Sequence, residues 1–399
     1  MLSYWLFCIG ILIAYYASMN VWLFWAIENL YAVIAAFFLI LSMLLANSMN
    51  RSLFSRRDFL FPIVSCSVIL FYQLLVNNSV FNSYLLVFFR LFIFFLLFRL
   101  NKEYLPKLST FLCKSMACLM LISLPAFLLY MFGFPFPGRN AQWHDLYFFT
   151  NHYLFLVSDG AINQIFQRFH SVFLEPGHLG TAIVLLLATQ CGKWRQWYNV
   201  VNIVALLSTF SLAAYGLFVI VIFMHMWIQR KNIVMKILFV VVLISAVVGG
   251  SFVYNGGDNM LNQLILARLE VNDTGDDIEG NNRVSANFEA EFNSYMESSD
   301  VFFGREMDKS TFGNAGYRVY IYENGIVGFF LVYLFYFISL KGGTDKRAFI
   351  AAIVLSLANF WIRAYPFWYG FYIPYYLMAY MDITNMIPAK AELKREMPK

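Results

Sequence analysis

Apolar runs of about 20 residues recur from one end of the chain to the other, the length a helix needs to cross roughly 30 Å of hydrocarbon. The runs do not alternate apolar and polar positions in segments of about 10 residues, as a transmembrane β-barrel would. The first two, residues 2–19 and 28–46, form a hairpin ending at NSMNRSLFSRRD, where Arg51, Arg56 and Arg57 mark a cytoplasmic loop by the positive-inside rule. Runs over 59–76 and 82–98 turn at the uncharged NNSVFNS and return to RLNKEYLPK, again basic and again inside. The run over 108–132 leads out to a segment rich in aromatic and polar residues. The next, 172–191, comes back to the basic GKWRQW.

Tyr198–Trp227 then has to start inside and also finish inside, beside Arg230, Lys231 and Lys236. That is met by two short spans with a tight turn near SLAAYG; one tilted helix with a basic outer end is the alternative. Residues 233–253 deliver a hydrophilic region, 254–317, to the outside. In it DNMLNQLILARLE has near-helical apolar spacing and is expected along the surface, while VNDTGDDIEGNN is an exposed turn region. Runs over 319–340, 348–362 and 366–381 complete about twelve spans with both ends inside. The first run lacks a basic start and a small-residue cleavage site, so it is expected to be a retained span.

The composition agrees with this: 61% of residues are hydrophobic and 13% charged. The predicted fold class is an all-α, polytopic transmembrane helix bundle. Its divisions are spans in 1–132, an outer segment 133–171, spans in 172–253, a large outer loop 254–317, spans in 318–381 and a basic tail 382–399. The five cysteines lie in or beside apolar runs, so no disulfide framework is implied. A net charge of +5 carries information through its placement, not its sum.

The chemistry gathers at RFHSVFLEPGHLG, Arg168 to Gly180, where an arginine, two histidines and a carboxylate meet the start of an apolar run. Pro176 suits a first helical turn, and Glu175 sits beside the unpaired N–H groups there, a position that also favours phosphate. Either Glu175 only caps the helix and Arg168 anchors to headgroups, or the stretch is a site. Arg90 lies mid-span, at a cost of about 2.5–3.5 kcal/mol, and faces the bundle interior either as a structural partner of a carbonyl or of Glu28, or as a counter-charge for an anionic lipid. Arg318, Tyr322 and Glu323 stand at the outer end of the following helix, with Gly325 and Gly328 making that end easy to bend. Arg363, at the last outer turn, is expected to snorkel to headgroups. His144, His152, His170 and His178 lack metal-ligand spacing, so no metal is expected. Trp143, Tyr147, Phe148, Phe149 and Tyr153 read as an interfacial belt, with sugar stacking as the alternative. No phosphate-binding glycine loop or nucleophile elbow occurs, and the inner loops are too short for a nucleotide-sugar domain; no cofactor is expected.

Four features together resemble the O-antigen polymerase and ligase superfamily of bacterial membrane proteins. They are RFHSVFLEPGHLG, the turn TFSLAAYG at Thr209–Ser211, Arg283 in GNNRVSANFEAEF within the large loop, and GNAGYRVYIYENGIVG. The likeness covers roughly residues 133–340. It implies an enzyme on the periplasmic face of the inner membrane that joins undecaprenyl-diphosphate-linked oligosaccharides into O-antigen or a related surface polysaccharide. Ligases of the family carry a histidine where this chain has Asn314, followed by Ala315, so the polymerase branch fits better; the TFS turn also lacks the arginine often found next, Leu212 standing there. The implied partners are the lipid-linked oligosaccharide, the bilayer, a chain-length regulator and a flippase, with no nucleic acid.

Cleavage of a glycan from a lipid diphosphate develops negative charge on phosphate oxygens, which guanidinium groups and a helix N-terminus stabilise without a metal. The expected catalytic residues are Glu175, Arg168 and His170, with Glu175 receiving the acceptor proton or orienting the sugar and His170 the second candidate base. Arg283, Arg318, Arg90, Glu323 and Tyr322 are the expected substrate contacts. A ligase acting on lipid A core, and a flippase or transporter of lipid-linked sugars, are the competing functions.

Overall fold

The computed structural model describes the chain apart from residues 51, 56–57, 77–80, 145–146, 160–166, 230–237, 239–241, 243–244, 246–247, 260–261, 263–285, 308–315, 344 and 382–399. The expected spans over 233–253, most of the surface helix DNMLNQLILARLE, Arg283 and the basic tail therefore lie wholly or largely outside the described residues.

Helices α1 (Leu2–Ser18), α2 (Tyr31–Ser48), α3 (Leu60–Val76), α4 (Phe81–Arg99) and α5 (Leu105–Met131) stand where the apolar runs predict them. Helices α6 (Pro176–Ala188), α7 (Trp197–Ser208) and α8 (Leu212–Gln229) follow, then α9 (Ala286–Met296), α10 (Tyr317–Leu340), α11 (Lys346–Ile362) and α12 (Tyr369–Ala379). Among the described residues, four helical stretches, Trp22–Ser48, Lys102–Met131, Leu212–Gln229 and Tyr317–Leu340, are long and apolar enough to cross a membrane. Large apolar side chains such as Phe37, Leu44, Phe61, Leu75, Ile122 and Phe330 face outward from the bundle. Exposed apolar surface on this scale fits a hydrocarbon surround and not water.

The bundle closes around α6 and α12, each buried along its described length. A helix apolar on every side has no face for water, so it takes the centre. Close approach needs small residues: a side chain on Gly180 would strike Ala214 of α8, and one on Gly10 would strike Leu39 of α2. Some polar groups inside this core are paired across helices, whereas others, such as Thr181 Oγ1 of α6, have no hydrogen-bond partner among the described residues. Ser109 and Thr189 share a 2.7 Å hydrogen bond, and Tyr15 donates to the Ala182 carbonyl of α6 at 3.3 Å.

Between α7 and α8 the helix breaks at Thr209–Phe210–Ser211, with Phe210 at φ 45°. One continuous tilted helix over Tyr198–Trp227 is thereby ruled out; the tight turn is present, a few residues before the middle of SLAAYG. The segment after α5 holds a feature that the periodicity does not predict. Strands β1 (Arg139–Trp143), β2 (Tyr147–Asn151) and β3 (Leu156–Ser158) make an antiparallel sheet in the order β1–β2–β3, with Trp143 opposite Tyr147 and Ala141 opposite Phe149. Residues directly opposed in such a ladder project to one face, so Trp143, Tyr147 and Phe149 share a face. That face packs on Leu174 and Leu156, beside the start of α6.

Candidate active site at the start of helix α6

Glu175 is the N-cap residue of α6, in extended conformation, with Pro176 in the first turn. Its carboxylate does not cap the helix through its side chain. One oxygen, Oε1, accepts from the Tyr147 hydroxyl at 2.9 Å, and Oε2 accepts from Arg363 Nη2 at 2.9 Å. The Arg363 side chain is only 7% exposed. Headgroup snorkelling is therefore the wrong account of Arg363: α11 ends at Ile362, and the arginine turns inward across the start of α6. Gly177 makes room for it, since a Cβ there would collide with Arg363 Nη2. The Arg363 Nε–H is buried and has no hydrogen-bond partner among the described residues.

Burial opposes ionisation of Glu175, but His178, the Arg363 guanidinium and the hydrogen bonds from Arg363 and Tyr147 outweigh it. They hold its carboxyl well below the usual carboxylate range. Burial and the adjacent carboxylate push the Tyr147 phenol the other way, so it stays a neutral donor. His178 sits edge-on to Trp368 at 5.4 Å, and Trp368 stacks on Tyr365 at 4.2 Å. The loop after α11 thus lies against the first turn of α6.

His170 is buried, and its Nδ1 lies 2.6 Å from the Phe173 carbonyl. A carbonyl only accepts, so Nδ1 carries the proton and Nε2 the lone pair. Burial, with Arg168 nearby, lowers its pKa to about 4, against the opposing pull of the Phe173 carbonyl and Glu175. The imidazole is neutral. Ser171 beside it holds φ 52°, a costly conformation outside glycine. Arg168 Nε donates to the Thr209 carbonyl at 3.1 Å, and Phe169 N to the Ser208 carbonyl at 3.2 Å. The RFHS stretch is thereby laid along the α7–α8 turn.

The other expected site residues fall elsewhere. Arg318 Nη1 pairs with Glu289 of α9 at 2.8 Å, and the Tyr322 hydroxyl donates to Glu291 at 3.1 Å. Arg305 joins Glu291 at 3.1 Å and Asp300 at 2.8 Å. Arg318 and Tyr322 thus hold α9 and the following loop to α10, and Glu323 occupies the same helix end. There α10 breaks at Gly325, φ 64°. The carbonyls released are taken up: Ile321 by the Tyr295 hydroxyl at 2.6 Å, Tyr322 by Arg305 N at 2.8 Å, and Asn324 by the Tyr72 hydroxyl at 2.9 Å. Arg90 Nη2 donates to Asn29 Oδ1 at 3.3 Å, so on that turn it bonds Asn29 in place of the expected Glu28. Arg283 lies outside the described residues.

The arrangement brings His178 of the same stretch, and Arg363 and Tyr147, which were not expected in the site, to Glu175, with His170 nearby and Arg168 at the α7–α8 turn. Gly177 is the one sequence signal that something approaches the first turn of α6 closely, and it does not say which side chain does so. Among the described residues no three His, Cys, Asp or Glu side chains form a metal-ligand group. No family model, no curated protein and no solved structure matches this chain.

Proposed function

We propose that the chain is a polysaccharide polymerase of the O-antigen type, joining undecaprenyl-diphosphate-linked repeat units at the periplasmic face of a bacterial inner membrane. In this reading about twelve spans place both ends inside and the start of α6, the sheet and α9 outside. The observation that carries it is the ion pair between buried Arg363 and half-buried Glu175 at the N-terminus of α6, with Tyr147 on the other carboxylate oxygen and a guanidinium N–H without a partner among the described residues.

An acceptor hydroxyl attacks the anomeric carbon, a C–O bond forms, and the bond to the lipid diphosphate breaks with its electron pair staying on phosphate oxygen. Arg363, at the first turn of α6, is the cation on hand for that developing charge, with Arg168 beyond His170 at the α7–α8 turn. Glu175 is too well stabilised to be a strong base. It accepts the hydrogen bond of the incoming hydroxyl and orients it; the proton leaves once the oxygen has bonded to carbon and become acidic, passing to the carboxylate or to His170 Nε2. A sugar transition state with oxocarbenium character suits a late proton transfer of this kind.

The test is surface polysaccharide chain length in the host lacking its own copy. Glu175→Gln, Arg168→Ala and Arg363→Lys, each at normal membrane level, are expected to leave surface lipid with at most one repeat unit. Arg363→Lys belongs in the set because lysine lacks the planar fork. Wild-type ladders from all three variants refute the assignment, and polymer accumulating on the lipid carrier would point instead to ligation.

A further inference from the structure

Two open cavities flank one side chain, Trp25, away from Glu175. The larger, about 400 Å³, lies between the segment Trp22–Leu30 and strand β1, and is lined by Trp22 and Trp25 on one side and Arg139, Asn140 and Gln142 on the other. The smaller, about 150 Å³, lies on the far side of Trp25, with Asn20, Glu28, Asn29, Trp143 and His144 in its wall. The indole between them is fixed: Nε1 donates to the Asn20 carbonyl at 2.9 Å, and the ring packs against Trp143 at 5.1 Å and Phe149 at 5.7 Å.

The backbone around the smaller cavity is unusual. Asn20, Glu28 and His144 all hold positive φ, at 55°, 38° and 47°. For a glutamate this is a true outlier, costing on the order of 1–3 kcal/mol, and such strain collects where a ligand is gripped. Asn29 in the same wall takes the hydrogen bond of Arg90, so the costly mid-helix arginine of α4 supports this cavity.

We infer that the groove on either side of Trp25 is a binding track for the pyranose rings of a glycan, separate from the Glu175 centre. A sugar ring has an apolar C–H face and a rim of hydroxyls. The indoles offer flat, pre-set surface to the first, and the amides of Asn140, Gln142 and Asn29 with the Arg139 guanidinium offer donors and acceptors to the second. The larger volume falls in the range of small-molecule sites, about 300–1,000 Å³, and Leu23, Ala26 and Ala141 add apolar surface between its polar groups. The track also has a direct mechanical link to the reacting groups. Trp143, in the smaller cavity, is opposed in the β1–β2 ladder to Tyr147, which bonds Glu175. The inference rests on the polymerase reading, which supplies the glycan; the groove holds sugars one or more rings from the bond being made.

Calorimetric titration of the full-length protein in detergent, with carrier-free oligosaccharide released by mild acid from the host's surface polysaccharide, tests it. The parent protein and Glu175→Gln are expected to bind, and Trp22→Ala to bind at least tenfold more weakly. The double variant Arg139→Ala/Asn140→Ala, both at exposed strand positions, is expected to weaken binding likewise and guards against misfolding of the tryptophan variant. Parent-like affinity in the double variant, or a parent that binds no oligosaccharide, overturns the track. If Glu175→Gln meanwhile abolishes polymer, the polymerase reading stands without it; if Glu175→Gln makes full-length polymer, that reading has failed on its own account.

Discussion

At the scale of single residues, Glu175 is defined by what opposes its burial. A carboxyl held well below the usual range stays ionised across the interval in which ordinary glutamates titrate, near about 4.3. Glu175 is therefore expected to add no acid limb to the rate of the purified protein there, and a limb near pH 4 would report His170. Arg363→Gln removes the guanidinium and its hydrogen bond and leaves burial to act with less opposition, so the carboxyl rises, a shift read by infrared titration of the carboxylate band against Glu175→Gln and needing no activity. A carboxylate band that titrates in Arg363→Gln as it does in the parent would show that the arginine does not set this ionisation. His170 makes the opposite kind of statement. Its folded pKa, about 4, lies below the ordinary 6.5, so the unfolded chain binds the proton first and stability is lost as pH falls between those values. The loss from this group reaches about 3 kcal/mol at most. Thermal unfolding at pH 7 and at about pH 4.5 is expected to show a smaller drop in His170→Gln than in the parent. The role of Glu175 could be guessed from its neighbours in sequence, because Pro176 and His178 are local. Arg363 could not be: its partner is far away in the chain, and an arginine at a helix end carries the same local pattern whether it faces lipid or protein.

At the scale of elements, helices were legible and strands were not. Apolar runs of membrane length have few conformations open to them, whereas RNAQW and YFFTN mix polar and aromatic residues in a way that fits an interfacial belt equally well. The break near Gly325 was expected from composition; what the sequence could not show is that α9 supplies its acidic side chains to Arg318, Tyr322 and Arg305, because the pairing is between separate segments. Two substitutions probe these joints. Gly177→Ala puts a methyl group into the Arg363 guanidinium, and a displacement of about 1 Å at such a site costs on the order of 100-fold in activity. Polymer length is expected to collapse while membrane level holds. Tyr72→Phe removes the donor to the Phe303 and Asn324 carbonyls at the break in α10, and is expected to lower stability by about 1–3 kcal/mol in thermal unfolding. An unchanged unfolding temperature would mean that water replaces the phenol at no cost.

At the scale of the whole molecule, the bundle is organised around two helices without a polar face, and the candidate site sits where one of them begins. Under the proposed topology, cysteines placed at Phe148 and Ser294 in a cysteine-free background react with an impermeant maleimide added to intact spheroplasts, and one at Lys346 reacts only after lysis. Labelling of Ser294 from the inside alone would remove the periplasmic site altogether. The β1–β2 ladder gives the assembly a further property. Five consecutive residue pairs join its two edges, and one ladder rung carries an indole at one end and the phenol that grips a carboxylate at the other. Such a rung does not stretch. Any shift of strand β1 therefore carries the phenol with it, and the hydrogen bond to Glu175 lengthens or shortens with the position of the indole.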